Sequence, residues 1–600
     1  MAGIPPQAQQ GLGQSPGRKS LILCFDGTGN KFQGNQSDSN IIKIFNLLER
    51  QDSSQFHYYQ PGIGTYVETS SLSRKSTYGR VKSWYTKAKD QAVGTSFGEH
   101  VMAGYKFLMR YYNDGDAIYF FGFSRGAYTA RFLAQMLDYV GLLSAGNEEM
   151  LRFAWKTFSR WQMRTDETEE EKRKKLETFE FMKKFRETFS RPVCRIEFIG
   201  LFDCVNSVPQ FESAWMTRSK FPYTAKTTAR VIRHAVSIDE RRAKFRQDLI
   251  SERRHGIPGA EHHHNLGELG DQIAEHMHLH SSEHVQEKER PKPQPAKRPS
   301  MKKSHNSEAL FRADRRRKHQ ALQQIPASSA ASQISVNSAN IVSQIEHDNN
   351  RNGTLDDDDR QDILEVWFAG QHGDIGGGWP LSKGEDRPLS DIALMWMLRE
   401  AQKAGMPLDP DKVKASNLFP DEPEPDVEIE APRLQVEGQE VPESPKATFD
   451  GPAWTEEIHR IATTSKTHDS LRFGGGLGWS AVAAWKFMEW LPFRRMDLQD
   501  DGSWKAISWP LPRGETRDMN HDCKIHHSVI KRMEHDPSYR PGNLIVGGGG
   551  RGFIKAPKEY GIGTWDIILE PGDAIGEVKR KVQTDTNGSA NGASSNGKSK

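Results

Sequence analysis

Five residues constrain this chain more than any others: Gly122-Phe-Ser-Arg-Gly126, set between Ala117-Ile-Tyr-Phe-Phe121 and Ala127-Tyr-Thr-Ala-Arg-Phe-Leu-Ala-Gln-Met-Leu137. The apolar run before them reads as a buried strand and the stretch after them as a helix. The chain must reverse sharply between the two, with a serine at the apex and a glycine two residues away on each side. Side chains at the flanking positions would collide with the strand or the helix. This is the geometry of a nucleophile elbow, which lifts a serine hydroxyl above the sheet edge over a helix N-terminus. The motif alone also fits an ordinary strand–helix turn, so the surrounding sequence has to decide.

That surrounding sequence alternates between strands and helices. Buried-strand candidates are Leu21–Phe25, Phe56–Tyr59, Ala117–Phe121, Ile196–Phe202, Val231–Ser237 and Ile363–Phe368. Helical patterns at Asn40–Arg50, Thr95–Tyr112, Tyr128–Val140, Glu167–Phe189 and Ser390–Ala404 fall between or after them. Apolar strands alternating with helices imply an α/β fold, a mainly parallel sheet with helices on both faces.

Only 36% of the 600 residues are hydrophobic, so part of the chain has to be polar sequence without a core. Residues 1–18 read as a disordered arm, 251–361 as a long disordered insert, 409–450 as a Pro/Glu-rich linker and 577–600 as a disordered tail. The insert carries His262-His-His264, Arg315-Arg-Arg-Lys318 and Asp356-Asp-Asp-Asp359 with few large apolar side chains. Such a composition cannot bury enough surface to offset its chain entropy. The catalytic domain is thereby placed at 19–250 and 362–405, and a Trp-rich C-terminal extension packing on it at 452–575.

Charge is nearly balanced, 82 Lys and Arg against 79 Asp and Glu, which gives no global argument for nucleic acid. Four cysteines without C-x-x-C spacing read as small hydrophobes in a reducing compartment. With no signal-like opening segment and no long uncharged apolar stretch, the expected location is cytoplasmic.

A serine nucleophile needs a base, and the base needs a group that fixes its tautomer. Asp203 follows the strand Ile196–Phe202, and His372 lies just beyond Ile363–Phe368 in Gln371-His-Gly-Asp-Ile-Gly-Gly-Gly-Trp379. Ser124, Asp203 and His372 thus fall after strands in the order Ser, Asp, His, where an open α/β sheet gathers its site. Taken singly, Asp203 would cap a turn, and His372 would fit a satisfied loop histidine as well as a base. An oxyanion hole would draw on the amide of Arg125 and on Gly27 or Thr28 of the loop Phe25-Asp-Gly-Thr-Gly-Asn30, with Asp26 and Asp374 as supporting residues. A rival reading makes Asp26, His372 and Asp374 a metal site for assisted hydrolysis. A second rival is a binding protein that retains the fold without catalysis. No cofactor is expected on the favoured reading.

Five motifs occur in order: Phe25-Asp-Gly-Thr-Gly-Asn30, Gly122-Phe-Ser-Arg-Gly-Ala-Tyr128, Phe202-Asp-Cys-Val205, His234-Ala-Val-Ser-Ile-Asp-Glu-Arg-Arg242 and Val366–Trp379. Together they resemble the hydrolase domain found in type VI secretion phospholipase effectors and in many fungal proteins. The resemblance covers about residues 19–250 and 362–405. It implies an α/β-hydrolase-like fold, Ser124 as nucleophile, Asp203 as acid and His372 as base. The implied reaction is cleavage of carboxylic esters, those of (phospho)lipids first, through an acyl-enzyme. The chain departs from the bacterial effectors in its insert and its Trp-rich end, which leaves the substrate open.

The most apolar stretch outside the sheet is Leu477–Phe493, followed by Arg494-Arg495. It is too short and too charged to span a bilayer. Peripheral membrane contact over 477–495, a lid over the site, or a helix packed on the hydrolase core would each fit, the last being the plainest.

Overall fold

The structure, a computed structural model, describes residues 18–62 (except 31), 95–163, 169–191, 193, 195–205, 229–250, 361–416, 418, 452–490, 496–498, 504–506, 513–520, 522–550 and 553–582. Almost all of the expected arm, insert, linker and tail lies outside these residues.

Nine strands form one sheet: β1 Ser20–Phe25, β2 Gln55–Gln60, β3 Ala117–Phe123, β4 Phe198–Phe202, β5 Val231–Ser237, β6 Asp362–Phe368, β7 Lys524–His526, β8 Trp565–Leu569 and β9 Val578–Lys581. Their spatial order is β8-β9-β7-β6-β5-β4-β3-β1-β2. From β7 to β2 every neighbouring pair is parallel, while β9 runs antiparallel to both β7 and β8. The fold is therefore α/β with a mostly parallel sheet, as the alternation of strands and helices predicts.

The helices used below are α1 Asn40–Asn46, α2 Thr95–Tyr111, α3 Arg125–Val140, α4 His372–Gly376, α5 Ser390–Lys403, α6 Pro410–Ala415, α7 Trp479–Met488 and α8 His527–His535. Strand β1 shows how the two faces are covered. Leu21, Leu23 and Phe25 share a buried cluster with Phe97 and Tyr105 of α2 and Leu133 of α3. Ile22 and Cys24 point the other way, into a cluster with Ile41 and Ile44 of α1 and Trp396 of α5. Burial on both faces is why these strands read as unbroken apolar runs. Each such side chain contributes about 1.5–3 kcal/mol on leaving water.

The C-terminal region is part of the sheet and not an appended layer. Ile525 of β7 pairs with Trp367 of β6, and β9 then closes on β7. The expected tail accordingly begins too early: Val578–Lys581 is a strand, short and charged as edge-proximal strands often are. The expected linker also begins too early, since Asp409 caps α6 by accepting the Lys412 amide, with Pro410 in the first turn. In both places a polar composition hides a short element that tertiary contacts stabilise.

Candidate active site

The register of the parallel strands sets the site. Phe123 of β3 pairs with Phe202 of β4, and Phe202 with Ala235 of β5, so Ser124 and Asp203 leave neighbouring strands side by side. The Ser124 amide donates to the Phe202 carbonyl at 3.0 Å, and the Asp203 amide to the Ala235 carbonyl at 2.7 Å. Ser124 sits at φ 60°, ψ −124° and Asp203 at φ 42°. Among the described residues only one other non-glycine residue, Glu570, has a positive φ. Backbone strain of about 1–3 kcal/mol per residue is thus concentrated at two of the three residues picked out by the sequence.

The elbow explains its glycines. A Cβ on Gly122 would lie 2.4 Å from Ala127 Cα, and one on Gly126 would lie 2.2 Å from the Phe25 carbonyl oxygen. The strand and α3 close onto each other only because both positions lack side chains. Tyr128 is the residue whose amide returns to the Ser124 carbonyl, at 3.3 Å, so the Arg125 amide precedes the intrahelical ladder at the helix N-terminus.

His372 opens α4, four residues beyond β6, and its Nδ1 lies 2.5 Å from Asp203 Oδ2. A carboxylate only accepts, so Nδ1 carries the proton and the neutral ring keeps its lone pair on Nε2. The ring is held from two sides, by Phe123 and by Phe245, each with a centroid separation of 4.7 Å. Ser124 is the residue after Phe123, so the same strand end carries both the serine and the ring packed on the histidine. No hydrogen bond joins Ser124 to His372 among the described residues; in hydrolases without substrate that contact is often long and tightens on binding.

Asp203 is the most heavily supported group. Its oxygens accept from the Ser237 amide at 2.9 Å and from two nitrogens of Arg517 at 2.5 and 2.9 Å. Neither Asp203 nor Arg517 is exposed at all. Burial pushes the carboxyl up, but Arg517 and His372 outweigh it and hold Asp203 well below the usual carboxylate range. Burial pushes His372 down, offset only in part by Asp203, so its neutral form is favoured. Arg517 escapes a sequence reading because nothing local to Thr516-Arg-Asp-Met519 marks it. Its role comes from the position of the C-terminal region beside β5.

The segment His234–Arg242 is a scaffold for these groups. His234 accepts the Cys204 amide at 3.1 Å on Nε2 and donates from Nδ1 to Glu365 at 2.8 Å. Ser237 Oγ donates to the Gly370 carbonyl at 2.8 Å, and Asp239 accepts the Gly370 amide at 2.7 Å. Glu240 accepts the His372 amide at 3.3 Å and is gripped by Arg242. Burial raises the Glu240 carboxyl, yet Arg242, Arg517 and His372 bring it down to about 2. His234, Ser237, Asp239 and Glu240 therefore each fix a loop that carries Asp203 or His372, and Arg242 acts through Glu240. Arg241 ties its own segment to Asp469 and to the Gly514 carbonyl.

The remaining expected residues divide. Asp26 supports its loop as expected, accepting from Asn30 at 2.9 Å, Ser39 Oγ at 2.7 Å, Tyr59 at 2.8 Å and the Gly27 amide at 2.6 Å. That last bond corrects the expectation for Gly27, whose amide is turned back onto the Asp26 carboxylate and not toward Ser124. Arg125 and Thr28 stay as candidates for the oxyanion. Asp374 also supports a loop, accepting from the Gln371 amide at 2.9 Å and from His468 through both its amide, at 3.0 Å, and Nδ1, at 2.6 Å. His468 lies flat on Trp379, with centroids 4.2 Å apart. Asp26, His372 and Asp374 are thus committed to separate partners, and no set of three His, Cys, Asp or Glu among the described residues is disposed to hold a metal ion.

The chain is 29% identical over 566 residues to the uncharacterized protein YEL023C of Saccharomyces cerevisiae, covering 88% of this chain and 80% of that one. A solved structure of the Tle1 effector bound to the VgrG spike from the type 6 secretion system is 16% identical, with a TM-score of 0.18. That match covers 42% of this chain and 52% of the effector, so the chain spans about half of that protein's length. Residues 19–400 match the family described as the catalytic domain of Tle1-like phospholipase effectors of type VI secretion, and the chain belongs to that family.

Proposed function

We propose that the protein is a serine hydrolase of carboxylic esters of lipids, acting through Ser124, His372 and Asp203. The observation that carries this reading is a strained serine (φ 60°) leaving the strand next to that of Asp203, with Asp203 and His372 2.5 Å apart and the His372 ring packed on Phe123. Membership of a phospholipase effector family supports the choice of lipid esters.

On this reading His372 Nε2 takes the proton from Ser124 as the hydroxyl attacks the ester carbonyl, and Asp203 stabilises the imidazolium that forms. The oxyanion of the tetrahedral intermediate is received at the N-terminus of α3 by the Arg125 amide, with the Thr28 loop opposite it. His372 returns the proton to the departing alcohol, leaving an acyl group on Ser124. Water then enters with His372 again as base and releases the acid. Arg517 keeps Asp203 ionised throughout, so the histidine stays in the tautomer whose Nε2 is basic.

Fluorophosphonate labelling of the full chain, with cleavage of a p-nitrophenyl ester and of mixed phospholipids, tests the reading. Covalent capture and hydrolysis are expected in the native protein, and both are lost in Ser124→Ala. Ester cleavage that survives Ser124→Ala overturns the role of Ser124. Absence of labelling and of cleavage in the folded native protein overturns the enzyme reading.

A further inference from the structure

Helix α7 does not behave as a core helix. Its sequence, Trp479-Ser-Ala-Val-Ala-Ala-Trp-Lys-Phe-Met488, is apolar around most of its circumference, yet only Val482 is buried. Trp479 is 74% exposed, Phe487 65% and Trp490, two residues past the helix, 53%; Phe473 in the preceding loop is 45% exposed. The Phe473 and Trp479 rings stack at 5.9 Å, and Lys486 Nζ lies 4.8 Å above Phe473. At the other end Arg513 lies 3.1 Å from the Trp490 ring centre. Four large apolar side chains held in the open by one short segment form a patch, which singly exposed residues do not.

The charge of the segment 472–490 is one-sided. Between Arg472 and Trp490 the one acidic residue is Glu489. Its carboxylate is buried and accepts the amides of Ala243 at 2.7 Å and Gly514 at 3.0 Å. What faces outward is therefore aromatic or cationic: Phe473, Trp479, Phe487 and Trp490 with Arg472, Lys486 and Arg513. Tryptophans over an apolar face, with Lys and Arg among them and no exposed acid among the described residues of 472–490, match the interface of a bilayer that carries anionic lipid. A water-facing surface would intersperse both signs.

The patch is also wired to the site. Trp485, on the inner side of α7, meets Phe245 edge to face at 5.5 Å, and Phe245 meets His372 at 4.7 Å. Arg242, which holds Glu240, lies 3.7 Å from the centre of Phe245 and 4.8 Å from that of Trp485. One aromatic side chain thus separates the exposed helix from the proposed general base.

We infer that α7 and its flanks dock the protein on the surface of an anionic lipid bilayer, with Trp479, Phe487 and Trp490 entering the interface and Lys486 and Arg513 meeting lipid headgroups. No helix among the described residues is long and apolar enough to cross a membrane, so the contact is peripheral. The inference rests on the lipid-ester reading for its purpose but not for its measurement: docking delivers a membrane lipid beside His372.

The experiment uses Ser124→Ala full-length protein, which removes turnover from the measurement, and vesicles of phosphatidylcholine with or without about a third phosphatidylserine. Flotation with the anionic vesicles is expected, and much weaker flotation with neutral ones. Trp479→Ser/Phe487→Ser/Trp490→Ser is expected to weaken vesicle binding by about a hundredfold, since interfacial affinity scales with buried apolar area. Lys486→Glu/Arg513→Glu is expected to weaken binding to anionic vesicles by about tenfold or more and to leave neutral vesicles unaffected. This second variant keeps the aromatic residues and decides the matter if the first one unfolds. Failure of the native sequence to float with anionic vesicles overturns the inference, as does undiminished binding by the charge-reversed variant. A self-association through this patch, seen as a dimer lost in the aromatic variant without vesicle binding, overturns it too. Loss of Ser124-dependent ester cleavage sinks the enzyme reading separately, because the binding arms do not use it.

Discussion

Arg517 donates from two guanidinium nitrogens to the two oxygens of the Asp203 carboxylate, at 2.5 and 2.9 Å, with both side chains fully buried. The same guanidinium reaches the carbonyls of Ser237, at 3.1 Å, and Phe245. It therefore joins the end of β5, the loop beneath His372 and the acid of the proposed triad in one network. A residue 314 positions along the chain from Asp203 sets the charge of the site.

Arg517→Met leaves that carboxylate buried with only the Ser237 amide and His372 as partners. Breaking a buried pair in this way costs about 3–5 kcal/mol, to be read as a fall in the denaturant midpoint at constant slope. Arg517→Lys keeps the charge but loses the fork, and is expected to fall between the native protein and the methionine variant in both stability and kcat. Asp203→Asn is expected to lower kcat by about four orders of magnitude while leaving Ser124 labelled slowly. A methionine variant as stable as the native protein would show that the pair is neutral and that Arg517 has no supporting role.

The strain at Ser124 makes a prediction of opposite sign. Glycine relieves the φ 60° conformation, worth about 1–3 kcal/mol, and gives back about 0.5–1 kcal/mol in chain entropy. Ser124→Gly should therefore be more stable than the native protein by roughly 1 kcal/mol, and Ser124→Ala should not, although both abolish fluorophosphonate labelling. Paired thermal unfolding of the two variants checks this. Equal midpoints would mean that the elbow holds no strain.

The elbow, the longer strands and the positions of Asp203 and His372 after them are legible because each depends on residues close in sequence. An apolar run, a Gly-x-Ser-x-Gly turn and a helix signature report one another within about twenty residues. The supports were not legible for the converse reason. Arg517, Phe245 and His468 act across gaps that the sheet closes, and a lone arginine in Thr516–Met519 carries no local sign of its partner. Strands β7 and β9 were missed because three or four residues are too few for a period to show. Gly27 was misassigned because the direction of one amide depends on where the Asp26 side chain turns, which Ser39 and Tyr59 decide from elsewhere in the fold.

Gly126 gives a test of the elbow that keeps every reacting side chain. In Gly126→Ala the new methyl meets the carbonyl oxygens of Phe25 at 2.2 Å and Asp26 at 2.6 Å, both backbone atoms of the loop opposite Ser124. Relief requires α3 and β1 to separate, at a cost of about 1–3 kcal/mol or more. The expected outcome is a lower unfolding midpoint together with slower fluorophosphonate capture, since Ser124 moves with the start of α3. Native stability in this variant would mean that the turn is looser than the contact distances imply.

The acid limb of activity should lie lower than an ordinary histidine would place it. Burial depresses His372 below its usual value of 6.5, and Asp203 restores only part of the difference. The base must be neutral, so kcat/KM rises with pH through the His372 value, and its midpoint is expected below 6.5. Removing the Asp203 charge in Asp203→Asn takes away the group that raises His372, and should move the midpoint lower again. A limb at or above 6.5 in the native protein would show that the ring is better solvated, or more strongly paired, than its burial between Phe123 and Phe245 allows.

Stability should fall over a related window for a different histidine. His526, at the end of β7, is buried neutral: Nε2 donates to the Ile575 carbonyl at 3.0 Å, and Nδ1 accepts the Ser528 amide at 3.2 Å. Burial pushes it down to about 4 from 6.5. A depressed value means that the unfolded chain takes the proton first as pH falls. The neutral ring's contribution is therefore intact above 6.5 and is lost as pH drops toward 4, by on the order of 3 kcal/mol at the lower end. Denaturant unfolding of Ser124→Ala protein at steps between pH 7 and pH 4, compared with the same protein carrying His526→Gln, isolates this group from the other histidines. The glutamine variant should start less stable and lose less across the window, the difference in slope approaching one proton, or about 1.4 kcal/mol per pH unit. Parallel slopes in the two proteins would place the charge of His526 outside the folding equilibrium and would require its ring to be solvated in the folded state.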